Sequence, residues 1–190
     1  MQSTTDKKEK KAEIEILYDR FHLASINQHL GYKINEYYKK TLEPGESLVV
    51  LVILKGSAIF FSDLVRQLNI PLKTEFISIS SYGHDTESSG QVRFELDVRD
   101  SIKDRHVLIV EDIIDTGNSL STVLKHLEAR SPKSLNIVTL LSKPSRREVE
   151  VDVKWIGLEI ADKFVVGYGM DYAERYRELP YIGILNFVEL

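Results

Sequence analysis

Cysteine is absent from this 190-residue chain, which excludes disulfides, thiolate nucleophiles and cysteine-based zinc or iron–sulfur centres. A reducing compartment fits that absence. Basic charge is not in excess either: 25 Lys and Arg stand against 29 Asp and Glu, for a net charge of −4. The electrostatic footprint of a nucleic-acid binder is therefore missing, and no nucleic-acid partner is expected. Long apolar runs are missing as well. Leu48–Leu54 is the longest, far short of the ~20 residues that span a bilayer, so no membrane partner is expected. The start of the chain, Lys7-Lys8-Glu9-Lys10-Lys11, has charge but no apolar stretch of the kind an export signal needs. Residues 1–11 accordingly read as a solvated, disordered tail, and the cytoplasm as the location. Nucleotide-binding loops of the Gly-x-x-x-x-Gly-Lys type do not occur, and Gly167-Tyr168-Gly169 lacks the later glycine of a dinucleotide loop. The histidines His22, His29, His84, His106 and His126 form no close metal-binding pair, and His22 and His29 read as helix surface.

What remains is long enough for one domain, residues 12–190, burying roughly 70% of its unfolded surface without staples. Leu23, Ile26, Leu30, Ile34 and Tyr37 make one helical stripe within residues 22–40, ahead of the turn Glu43-Pro44-Gly45-Glu46. Leu48–Leu54 then reads as a strand buried on both faces, residues 58–68 as an apolar segment, and residues 73–80 as the next strand after Pro71. Further strands are expected at residues 135–141 and 154–160. This rhythm predicts an α/β fold with a mostly parallel sheet flanked by helices, and ligands at the carboxyl ends of its strands.

Chemistry concentrates in residues 107–119, Val-Leu-Ile-Val-Glu-Asp-Ile-Ile-Asp-Thr-Gly-Asn-Ser. Residues 107–110 read as a buried central strand. Leu120, Val123, Leu124 and Leu127 follow at helical spacing, so the turn at residues 115–119 opens onto a helix N-terminus. Such a turn aims backbone N–H groups and the positive end of the helix dipole outward, and Thr116 and Ser119 add hydroxyl donors: an anion site. Glu111 and Asp112 repel a bare phosphate but accept from sugar hydroxyls. Sugar and phosphate together point to a phosphoribosyl group. The plainer alternative is a buried strand, an acidic turn and a capped helix. Lys55-Gly56 follows the earlier buried strand at the same sheet edge, where it either holds a diphosphate or simply ends the strand. Residues 81–90, rich in serine and glycine with little to bury, read either as a lid folding over a ligand or as an idle surface hairpin. Val92, Phe94 and Leu96 alternate like the strand returning from it.

These residues resemble the signature of the type I phosphoribosyltransferases, and Glu-Asp-Ile-Ile-Asp-Thr-Gly resembles their 6-oxopurine branch. The resemblance runs from about Ile14 to Phe187. It implies the type I phosphoribosyltransferase fold, with a small hood and a flexible hairpin loop. It also implies transfer of a phosphoribosyl group from 5-phosphoribosyl 1-diphosphate to hypoxanthine, guanine or both, with magnesium as cofactor. Asp115 is then the general base, and Glu111, Asp112, Thr116, Gly117, Asn118 and Ser119 hold the phosphoribosyl group. Lys55, Gly56, Ser81, Tyr82 and Arg177 meet pyrophosphate, with a non-proline cis peptide before Lys55. Lys143, Phe164, Val165 and Asp171 form the purine side, where Phe164 alone would read as core. Glu111, Asp112 and Asp171 are the metal ligands. A homodimer or homotetramer is implied. The rival reading is a regulator on the same fold that senses nucleotides and binds RNA or DNA, and Arg146-Arg147 is the one basic cluster that suits it.

Overall fold

The computed structural model describes residues 10–81 and 92–189. Its main sheet has six strands: β2 (Leu48–Leu54), β3 (Leu72–Ser81), β4 (Val92–Leu96), β5 (His106–Ile114), β6 (Ser134–Ser142) and β7 (Trp155–Glu159). The spatial order is β4-β3-β2-β5-β6-β7, parallel except for β4, which pairs antiparallel with β3. A smaller sheet, β1-β9-β8, joins β1 (Lys10–Tyr18), β9 (Ile182–Glu189) and β8 (Val165–Val166) into a hood.

Alternation along the central strands explains why both faces are covered. Leu48, Val50, Val52, Leu108 and Val110 turn to one face, where α1 (Arg20–Thr41) and α2 (Ala58–Val65) add Leu23, Leu30, Ile34, Phe60 and Leu64. Val49, Leu51, Ile53, Val107 and Ile109 turn to the other, against Leu120, Val123 and Leu127 of α3 (Asn118–Glu128). A strand with apolar side chains on both faces belongs in the middle of a parallel sheet. Asp19 caps α1, accepting from the Phe21 and His22 backbone N–H groups at 2.9 Å. Of the described residues, no helix is long and apolar enough to cross a membrane.

The strand order fixes where a ligand can sit. From β2 the chain passes outward to β3, whereas from β5 it passes to β6 and β7 on the other side. The crevice between the carboxyl ends of β2 and β5 is thus the switch point at which ligands bind in open α/β sheets.

Two differences from the sequence reading have physical causes. Lys10 and Lys11 pair with Glu189 and Val188 in β1, so the expected tail loses two residues to a strand; residues 1–9 lie outside the described residues. β5 does not stop at Val110: its ladder with β6 continues through Glu111↔Thr139 and Ile114↔Ser142, placing both carboxylates on the strand itself. Backbone pairing is indifferent to the polar side chains that ended the apolar run. Of residues 81–90, expected as a lid or an idle surface hairpin, Tyr82 and the rest of the loop lie outside the described residues, as does the Ser81 side chain.

Leu51 is fully buried in the central strand, whereas Ile156 on edge strand β7 is 37% exposed. Leu51→Ala is expected to cost about 2–5 kcal/mol in urea unfolding and Ile156→Ala under about 1 kcal/mol. Equal losses would mean that the sheet is not the core.

Candidate active site

At the switch point the chain turns after β2 through a cis Leu54–Lys55 peptide, as the resemblance implied. Gly56 there has no room for a side chain: a Cβ would stand 2.0 Å from Asp112 Oδ2. Ser57, fully buried, donates its hydroxyl to Glu111 Oε2 at 3.2 Å and accepts from the Asp112 backbone N–H at 3.1 Å. The β2 loop and the β5 carboxylates are thereby stitched together. Ser57 carried no signal in the sequence beyond its place after Lys55-Gly56.

After β5 the chain enters α3 through Gly117, whose φ of +88° suits glycine and whose Cβ would lie 2.5 Å from the Val149 carbonyl oxygen. Thr116, Gly117 and Ser119 border a pocket of about 150 Å³, closed by Glu111 and Asp115. The first-turn N–H groups of α3 and the dipole favour an anion there. Asn118 is turned elsewhere. Its Nδ2 donates to Glu148 Oε2 at 2.7 Å, an exposed contact away from the pocket lining.

Beside it opens a cleft of about 380 Å³, lined by Lys55, Gly56, Asp112, Asp115, Lys143, Phe164, Val165, Asp171 and Arg177, with Ile113 and Met170. Residues from six separate stretches therefore meet in one cavity. Lys143, only 6% exposed, sits with its Nζ 3.5 Å from Asp115 Oδ2 and 3.8 Å from Asp162 Oδ1. Arg146 Nε donates to Asp115 Oδ1 at 3.0 Å. Phe164 is 52% exposed, on the cleft wall instead of in the core, with its ring edge-to-face against Tyr172 at 5.7 Å. Val165 lies in β8, the edge of the hood sheet, so one side of its backbone is unpaired by that sheet. Opposite, Arg177 pairs with Asp171 at 2.8 Å and donates to the Gly169 carbonyl at 2.8 Å. Lys55 Nζ meets Glu174 Oε2 at 3.1 Å, which holds the Glu174 carboxyl below its ordinary range. Asp162 and Glu174 escaped the sequence reading, and Arg146 entered it only as part of a basic cluster, because their partners are distant in the chain and only the fold reveals the pairing.

The two β5 carboxyls are electrostatically uncomfortable. Burial, then the charge of Asp112, pushes Glu111 well up, against the Ser57 hydrogen bond. Burial pushes Asp112 up to about 6, with Asp171 adding and backbone N–H groups and Arg177 opposing. Among the described residues no three acidic or histidine side chains converge closely enough to hold a metal by themselves.

A family model for the phosphoribosyl transferase domain matches residues 14–173. Hypoxanthine phosphoribosyltransferase of Haemophilus influenzae is 48% identical over 92% of this chain and 96% of that protein. A hypoxanthine-guanine phosphoribosyltransferase of Staphylococcus aureus is 44% identical over 90% and 93%. Of solved structures, a Staphylococcus aureus hypoxanthine phosphoribosyltransferase superposes with a TM-score of 0.84 at 44% identity, covering 90% of this chain and 91% of that one. A mutant Trypanosoma cruzi hypoxanthine phosphoribosyltransferase in a ternary complex with substrates gives 0.85 at 42% identity, over 92% and 96%.

Raised carboxyl pKa values have a sign for stability. A group that holds its proton more tightly when folded stabilises at low pH and loses that contribution as pH rises through its folded value. For Asp112 the loss falls between the ordinary 3.8 and about 6. Asp112→Asn is therefore expected to exceed the parent protein in urea midpoint at about pH 8, by a margin that shrinks toward about pH 4. A margin independent of pH would show that the carboxyl is not under strain.

Proposed function

The chain belongs to the phosphoribosyl transferase family, and from that footing we propose that it acts in purine salvage as a hypoxanthine (guanine) phosphoribosyltransferase. It moves the phosphoribosyl group of 5-phosphoribosyl 1-diphosphate onto hypoxanthine, guanine or both, giving IMP or GMP and pyrophosphate. The observation that carries this reading is the position of Asp115, which walls both the 380 Å³ cleft and the 150 Å³ anion pocket. A ribose anchored by its 5′-phosphate in the small pocket has its anomeric carbon next to a base in the large one. No observation favours the regulator reading, and the named relatives are enzymes.

Roles follow from place. Thr116, Gly117 and Ser119 anchor the 5′-phosphate, Asn118 through its backbone N–H alone, and Glu111 and Asp112 accept from the ribose hydroxyls. Phe164 stacks on the purine, Lys143 donates to its 6-oxygen, and the Val165 backbone reads the ring edge. As the purine nitrogen bonds to the anomeric carbon, the carbon–oxygen bond to diphosphate breaks and its electron pair leaves with pyrophosphate. Asp115 takes the ring proton. Lys55, the Gly56 backbone and Arg177 offset charge on the leaving group, with Ser81 and Tyr82 assigned there by resemblance.

The donor set fits magnesium. That ion keeps several waters and relies on one or two carboxylates plus substrate phosphates, so it needs no three-carboxylate cage, and none occurs among the described residues. Glu111, Asp112 and Asp171 would supply those carboxylates, one or two at a time, and a cation would relieve the cost of burying Asp112 as a charge. When bound, it supplies positive charge against the diphosphate. A cytoplasmic homodimer or homotetramer is the proposed working form, without nucleic-acid or membrane partners.

The test is pyrophosphate release and nucleotide formation from 5-phosphoribosyl 1-diphosphate and magnesium with hypoxanthine, guanine, xanthine or adenine. IMP or GMP is expected; no turnover with any base rejects the reading. Asp115→Asn should keep the fold and still bind product nucleotide while turnover falls roughly 10²- to 10⁴-fold. Undiminished turnover removes Asp115 as the base. Because adenine's amino group offers the Lys143 ammonium no acceptor, a mismatch of about 1–3 kcal/mol, hypoxanthine should be preferred to adenine by roughly 10- to 100-fold. Equal use of the two would refute the role of Lys143.

A further inference from the structure

Asp115 and Lys143 do not stand alone at the cleft. Four side chains alternate in sign around them. Arg146 Nε lies 3.0 Å from Asp115 Oδ1 and 3.9 Å from Asp162 Oδ1, while Lys143 Nζ lies 3.5 Å from Asp115 Oδ2 and 3.8 Å from Asp162 Oδ1. Each cation faces both carboxylates, and the ring closes with its charges balanced. Asp115 and Lys143 line the cleft, whereas Arg146 and Asp162 are not among its lining residues. The ring therefore has an inner pair in the cleft and an outer pair that can act on a ligand only through it.

Three neighbouring parallel strands deliver these four residues at their carboxyl ends. Asp115 follows β5, and β6 beside it ends at Ser142, one residue before Lys143. Pro144 then opens a 3₁₀ turn, Pro144–Arg146, in which the Arg146 N–H donates to the Lys143 carbonyl at 3.1 Å. That turn brings the arginine back beside the lysine. Asp162 lies past the end of β7, the next strand, where the Ile160 N–H donates to the Ser142 carbonyl at 2.9 Å.

The distances within the ring are unequal. Arg146 Nε is at hydrogen-bond distance from Asp115 Oδ1, which restricts how that carboxylate can turn. Lys143 Nζ is beyond the usual 2.7–3.2 Å from either carboxylate. An ammonium drawn by two carboxylates at similar distances settles on neither. Its donors stay free for an acceptor entering the cleft, and Asp115 Oδ2 stays free to accept a proton. The outer pair sits half in solvent, with side chains 48% and 54% exposed, where ion pairs add little to stability. What the ring provides is aim.

We infer that Arg146 and Asp162 are positioning residues for the reaction: Arg146 aims the Asp115 carboxylate, and Asp162 holds the Lys143 ammonium off it. Without Asp162, Asp115 is the one ion-pair partner left to Lys143 among the described residues. The ammonium then closes on Oδ2 and takes the lone pair that the purine proton needs. This inference rests on the roles proposed above for Asp115 and Lys143.

The test has a kinetic arm and a structural one. Arg146→Gln is made in the parent protein and in Asp115→Asn, and nucleotide formation from hypoxanthine is measured in all four forms. In the parent background kcat should fall roughly 5- to 20-fold, with KM for 5-phosphoribosyl 1-diphosphate and Tm nearly unchanged. In Asp115→Asn the same substitution should lower kcat less than about twofold, because no carboxylate is left to aim. Equal losses in the two backgrounds, or a change confined to KM, would overturn the role of Arg146. For Asp162→Asn, a crystal structure of the free protein should show Lys143 Nζ drawn to about 2.7–3.2 Å from Asp115 Oδ2. An unchanged spacing would overturn the role of Asp162. Turnover by the parent protein tests the reaction itself, whereas the variant-to-parent ratio and the lysine's position test the ring.

Discussion

Everything in this molecule's chemistry depends on how closely the loop after β2 lies against the end of β5. Gly56 can have no side chain because Asp112 Oδ2 occupies its place, and Gly169 from the hood segment approaches the Gly56 carbonyl so closely that a Cβ there would stand 2.0 Å from it. Three stretches distant in sequence therefore converge on one point, with Ser57 bonded to both β5 carboxylate residues as the seam. The parallel sheet makes this possible, since β2 and β5 are paired neighbours whose carboxyl ends must emerge side by side.

Charge is arranged around that seam in opposition. On one wall burial raises two carboxyls, Glu111 and Asp112, which have hydrogen bonds but no ion pair among the described residues. On the other, Lys55 and Arg177 are occupied by Glu174 and Asp171, contacts that a more strongly charged phosphate ligand can replace. Asp115 sits between, shared by Lys143 and Arg146. A pocket with unmet negative charge beside reserved positive charge matches a ligand that carries sugar hydroxyls, phosphates and a cation together. The free site thus holds its groups near their working positions while cancelling much of their mutual field.

The sequence made the central layer legible because burial on both faces leaves unbroken apolar runs, as in Leu48–Leu54, and because residues 111–119 combine carboxylates with a helix-opening turn. The mostly parallel α/β sheet followed from the rhythm of strands and helices, whereas the order of its strands came only from the fold. The hood was not legible as strands. β1 reads Lys-Lys-Ala-Glu-Ile-Glu-Ile-Leu-Tyr, with charge on alternate positions, and its partner β9 lies at the opposite end of the chain. Nor was the traffic of ion pairs, since Lys55 with Glu174 and Arg146 with Asp115 are joined only by tertiary structure. Asn118 shows the limit from the other side: it stands within the motif, yet its amide turns to Glu148.

That Asp115 marks the junction between a base site and a phosphate site is tested most directly by a crystal structure with GMP bound. It should show the 5′-phosphate on the N–H groups of residues 116–119, the ring against Phe164 with its 6-oxygen at Lys143 Nζ, and Asp115 beside the glycosidic bond. Phosphate found instead at Lys55 and Arg177, with the ring away from Phe164, would contradict it.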